Sequence, residues 1–183
     1  MMQFKHYWKW LMVLLFLLFV LLFLSAGESN ATTKETTYTI EEIKAALDSL
    51  NEKYITPEMI PAYYKAQSTY QIPAFLLIAI SQPESHFKLG IKGDEGRSWG
   101  VMQVGELGRS YCSIVCGEMK TAEEEIMCGS CWFNHGLEIC KGSITKALSA
   151  YACGKCKPTT LKAEKGVERK LRIWKRLHKE IID

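Results

Sequence analysis

The residue most suited to chemistry is Glu84. It follows an apolar run, Pro73–Ile80, and precedes Ser85, His86 and Phe87. A carboxyl at the end of a buried helix loses solvation, which raises its pKa and keeps a proton available near neutral pH. Such a group is suited to protonating a glycosidic oxygen. The local sequence alone favours a solvated helix-end glutamate over a catalytic one. Pro83 removes one helix N–H just before it and predicts a kink that turns the side chain off the regular helix face. The four histidines, at 6, 86, 135 and 178, show no metal-ligand spacing. The run Glu123-Glu124-Glu125 reads as a solvated helix face. The seven cysteines all lie between 112 and 156. Cys128-x-x-Cys131 and Cys153-x-x-Cys156 admit either zinc or disulfides, and an odd count leaves at least one thiol free or paired between chains.

The elements that must hold these residues are helical. Thr39-Ile-Glu-Glu42 is a capping box, followed by Ile43, Leu47 and Leu50 at helical spacing. Thr56-Pro57 predicts a second helix start, with Pro at the first helical position. Pro73 opens a third helix through Ile80, apolar enough to be buried on most sides. Residues 88–98 hold three glycines and many charges and read as a loop. Ala122–Cys140, Ser143–Tyr151 and Leu161–Ile182 read as further helices. The last is basic, with Leu171, Trp174 and Leu177 toward the core and its Lys and Arg solvated. The fold class is therefore all-α, a single domain with at most a minimal hairpin.

Composition agrees with a globular chain. Of 183 residues, 48% are hydrophobic and 23% charged, which excludes disorder. The net charge of +3 is too small to argue for nucleic-acid binding, and none is expected. That total hides a segregation. From residue 141 onward 12 Lys and Arg stand against 4 acids, whereas the first 140 residues carry 11 against 16. Trp10–Leu24 is an unbroken apolar run of 15 residues, preceded by Lys5 and Lys9 and followed by Ser25-Ala26-Gly27. Residues 1–27 thus read as a secretory signal peptide or an uncleaved membrane anchor, being just short of the ~20 residues that span a bilayer. Residues 28–38 are a polar linker, and 39–183 the folded domain. Either N-terminal reading exports the domain to the periplasm or cell surface, where disulfides are the expected use of the cysteines.

Three ordered blocks surround the glutamate. They are Ala79-Ile-Ser-Gln-Pro-Glu84-Ser85-His-Phe87, then Gly93-Asp-Glu-Gly-Arg-Ser-Trp-Gly100-Val-Met102-Gln103-Val104, then Ala147-Leu-Ser-Ala-Tyr151-Ala-Cys-Gly154. Over residues 55–160 this resembles the lytic transglycosylase family of lysozyme-like fold, whose pattern is "ES…GLMQ…AYNAG". The resemblance implies cleavage of the MurNAc-β-1,4-GlcNAc bond of peptidoglycan strands with a 1,6-anhydro product. Glu84 matches the family's single acid/base. Ser85, Gly100, Met102, Gln103 and Tyr151 match residues lining the sugar cleft. No metal and no organic cofactor is implied, and protein partners are not specified.

Departures from the pattern matter as well. Pro83 replaces an ordinary helical residue, Ala152 stands in place of Asn, and Cys153 in place of Ala. Asp94 is similar to an aspartate of goose-type lysozymes that positions water, but the second such aspartate is here Gly105. Hydrolysis by a goose-type muramidase is the nearest alternative. A peptidoglycan-binding or assembly module with weak turnover, and a zinc-binding membrane adaptor, are rivals from other classes.

Overall fold

The structure, a computed structural model, describes residues 37–182. The expected signal or anchor, and all but the last two residues of the expected linker, lie outside the described residues. Eight α-helices and three two-residue strands follow in chain order: α1 (Ile40–Leu50), α2 (Met59–Tyr70), α3 (Ala74–Ser85), β1 (Lys92–Gly93), β2 (Ser98–Trp99), β3 (Val104–Gly105), α4 (Glu106–Tyr111), α5 (Ser113–Cys116), α6 (Ala122–Ile139), α7 (Ile144–Cys153) and α8 (Leu161–Ile182). The all-α class with a small β element is what the sequence predicts. The β element is a three-stranded antiparallel sheet in the order β1-β2-β3, one strand larger than a hairpin. No helix among the described residues is long and apolar enough to cross a membrane.

Local chemistry sets the helix limits. Thr39 Oγ1 accepts the Glu42 N–H at 3.2 Å, while Glu42 Oε2 accepts the Thr39 N–H at 2.7 Å, the reciprocal cap expected for α1. Helix α2 starts at Met59, not at Pro57. Thr56 and Pro57 instead form a tight turn whose carbonyls take the Met59 and Ile60 N–H groups at 3.1 and 3.3 Å, and Thr56 Oγ1 caps nothing. Helix α3 has no side-chain cap of its own at Pro73. The buried Gln67 supplies one, its Oε1 accepting the N–H groups of both Ala74 and Tyr38 at 3.0 Å. Pro83 does not end α3, which runs on to Ser85 before His86 turns left-handed at φ 52°. So close to the helix end, proline forfeits a single backbone bond.

Every residue from Ala74 to Ser81 is buried. Helix α3 is the centre of the fold, with α1, α2 and α8 packed against it, while α6 packs against α2 and α7. At roughly 1.5–3 kcal/mol per buried large side chain, Phe75, Leu76, Leu77, Ile78 and Ile80 make α3 the element least able to move. Tyr38 stacks on Phe75 with ring centroids 3.6 Å apart, and its hydroxyl meets His178 Nδ1 at 2.9 Å. The start of the domain is thereby tied to its last helix.

The cysteines form disulfides Cys112–Cys131, Cys116–Cys128 and Cys140–Cys156, leaving Cys153 free. Cys128 and Cys131 go to different bridges and Cys156 pairs with Cys140, so three of the four CxxC thiols are consumed and the four-cysteine zinc-ribbon alternative is lost. The first two bridges bind the short α4 and α5 to α6, and the third binds the end of α6 to the segment after α7. Helices α4 and α5 are absent from the sequence-based reading, being too short for periodicity to reveal.

Candidate active site

Glu84 lies in the last turn of α3 with its side chain 25% exposed. The apolar run predicts a desolvated carboxyl. The structure instead provides a charged partner: the ammonium of Lys170, on α8, stands 2.7 Å from Glu84 Oε1 and is itself buried. Next along the chain, Ser85 is buried and its hydroxyl donates to the Val101 carbonyl at 2.6 Å.

That bond is one of three that grip the segment Gly100–Gln103. The Val101 N–H donates to Glu125 Oε2 at 2.8 Å, and the Met102 carbonyl accepts from the Tyr151 hydroxyl at 2.5 Å. The donors and acceptors come from three helices, α3, α6 and α7, so the segment is fixed against the end of α3 from three sides. Tyr151 is the link back to the acid. Its phenol is pushed well above the usual range, by burial first and then by the negative charge of Glu84.

Gly100 sits at φ +80°, and a Cβ there would lie 3.0 Å from Glu125 Cδ and Oε2 and 2.9 Å from Met119 Cε. The glycine admits a buried carboxylate to the backbone. Met102 is fully buried and fills the space left by the missing side chain of Gly129. Gln103 spends its amide inside the sheet region: Nε2 donates to the carbonyls of Gly100 at 2.8 Å and Ile91 at 3.2 Å, and Oε1 accepts from Ser98 Oγ at 2.9 Å. Asp94 is exposed in the turn between β1 and β2, where its Oδ2 accepts from Ser98 Oγ at 3.3 Å. The structure thus brings Glu84, Ser85, Tyr151 and the 100–103 segment together, and leaves Asp94 on the rim of the small sheet.

Residues 61–173 match the family model described as the transglycosylase SLT domain. The chain belongs to the transglycosylase SLT domain family. Membership carries lytic transglycosylase activity in general terms, with peptidoglycan glycan as the substrate class and the cell envelope as the place of action. No curated protein matches the chain. The matched span holds every residue of the candidate site just described, from Glu84 of α3 to Lys170 of α8.

Two residues of this candidate site escape the sequence-based reading. Glu125 belongs to a run expected to be solvated. Glu123 is exposed and Glu124 closes a capping box with Thr121, whereas Glu125 is 1% exposed and also accepts the Gly90 N–H at 2.8 Å. Burial raises its carboxyl above the ordinary value, and the two backbone N–H bonds oppose that rise. Its place in the first turn of α6 favours an acid, since that end of a helix is electropositive. Lys170 is the second. The amphipathic reading of α8 puts all its cations in water, yet Lys170 is 4% exposed. The available signal is spacing: Val167, Lys170, Trp174 and Leu177 recur at three and four residues and share one face.

Proposed function

We propose that the protein cleaves the MurNAc-β-1,4-GlcNAc linkage of peptidoglycan by lytic transglycosylation, with Glu84 as sole acid and base. Glu84 gives its proton to the leaving oxygen as the C1–O bond breaks and the sugar becomes oxocarbenium-like. The sugar's own 6-hydroxyl then attacks C1, its proton returns to Glu84, and a 1,6-anhydro ring closes without water. One carboxyl suffices because the nucleophile belongs to the substrate.

The observation that carries this reading is the convergence of Ser85, Glu125 and Tyr151 on Val101 and Met102 beside Glu84. It offers a backbone ledge, rigid before substrate arrives, against which a sugar can be aligned with the acid. Gly100, Met102 and Gln103 build this ledge, with their side chains or backbone committed to the protein. Asp94 is exposed at a turn and Gly105 carries no carboxyl, which favours anhydro-sugar formation over water-dependent cleavage. In this reading residues 39–183 are the catalytic domain, 28–38 the linker, and 1–27 the segment that exports or anchors it at the periplasmic or outer cell surface.

The test is digestion of purified peptidoglycan sacculi by the wild type and Glu84→Gln, with mass spectrometry of the products. Muropeptides lighter by one water, lost by about 10²–10⁴-fold in the variant, support the proposal. Reducing ends would replace it with hydrolysis, and no soluble fragments with a binding module.

A further inference from the structure

Glu125 and Lys170 are the two buried charged side chains among the described residues. Glu125 is accounted for by two backbone N–H groups. Lys170 has one ionic partner, Glu84, and an ammonium is costly to bury unless its partner needs it. Its position is not imposed by the helix it rides on. Helix α8 carries cations along its solvated face, at Lys162, Lys165, Arg169, Arg172, Lys175, Arg176 and Lys179. An aliphatic residue at 170 would continue the apolar row between Val167 and Trp174 at less desolvation cost.

We infer that Lys170 is a positioning residue for Glu84, holding Oε1 so that Oε2 serves the substrate and stabilising the carboxylate formed when the proton leaves. The inference rests on the reading of Glu84 as acid and base. The geometry supports both parts. No hydrogen bond or second ion pair engages Oε2 among the described residues, so one oxygen is anchored and the other is available. When the proton on Glu84 passes to the leaving oxygen and the C1–O bond breaks, a full negative charge appears on a carboxyl three-quarters shielded from water. A fixed cation 2.7 Å away opposes that charge without reorganisation, the condition under which electrostatic stabilisation is largest. The ammonium itself exchanges no proton with the sugar. The donated proton leaves on the departing sugar's hydroxyl, and the 6-hydroxyl's own proton passes to Glu84 as the ring closes, so the pair ends as it began.

The test compares Lys170→Met, Lys170→Arg and Glu84→Gln in the full chain, in mild detergent, on purified sacculi. Lys170→Met is expected to lose about 10–100-fold in kcat, at an unchanged half-saturating sacculus concentration and with an unchanged circular dichroism spectrum. Lys170→Arg restores kcat to within several-fold, since it keeps the cation. Full activity in Lys170→Met overturns the inference, as does higher activity, which would make the pair inhibitory. Failure of Lys170→Arg to rescue while Lys170→Met unfolds overturns it in favour of a packing role. If Glu84→Gln remains active, the reading of Glu84 fails instead, whichever way Lys170 behaves.

Discussion

Glu125 reaches the backbone at Val101 through the gap that Gly100 leaves. The carboxylate accepts the Val101 N–H at 2.8 Å, and a side chain at 100 would begin 3.0 Å from it. A glycine and an acid 25 residues apart are thus one device, which fixes the ledge that faces Glu84.

Gly100→Ala is expected to lose about 2–4 kcal/mol of stability, combining a left-handed backbone with a clash against buried atoms. Thermal unfolding followed by circular dichroism measures it. Gly96, also at positive φ but with open space around it, is the control, and Gly96→Ala loses less.

Burial raises the Glu125 carboxyl, so the folded protein holds this proton to higher pH than the unfolded chain. Between the ordinary carboxyl value and the raised one, the folded state binds more protons, and stability falls as pH rises. The contribution is complete below the ordinary value and is lost on passing the raised one. Urea unfolding of wild type and Glu125→Gln across that range checks the sign: the difference between them drifts against the wild type as pH increases.

Tyr151→Phe removes the 2.5 Å bond to the Met102 carbonyl and leaves that carbonyl without its donor. A loss of about 1–3 kcal/mol is expected. Under the proposed mechanism the released ledge also lowers kcat on sacculi by more than the fall in folded fraction explains. Equal losses in both would assign Tyr151 to stability alone.

The disulfides predict a thiol count. Under denaturing, non-reducing conditions the chain should titrate for one thiol, at Cys153, and peptide mapping should recover the three pairs. Cys140→Ser with Cys156→Ser should cost about 2–4 kcal/mol. Two or more thiols in the oxidised chain would disprove the pairing.

Much of the frame was legible because it depends on short-range rules. Thr39 and Glu42 announce α1 by themselves, and the apolar run after Pro73 announces a buried α3. What escaped depends on contacts across the fold. Thr121-x-x-Glu124 is a readable cap, but nothing local says that its neighbour Glu125 will meet Gly90 and Val101. Thr56 carries the marks of a helix start and is overridden by a tighter turn. Gln103 has the side chain of a ligand-binding residue, yet its amide closes the sheet region through Ile91, Gly100 and Ser98. At the site itself the acid was visible and its cation was not. A lysine on an apolar stripe becomes meaningful only once α8 is seen lying on α3.

Because that cation sits on α8, the ribosome delivers it after every other part of the site described here. A nascent chain halted after α7 already holds the glutamate, the tyrosine and the ledge, but meets α3 with nothing to balance its acid. Assembly of the pair therefore waits until α8 has left the ribosome, and a polypeptide stopped before it would carry the glutamate without its counter-ion.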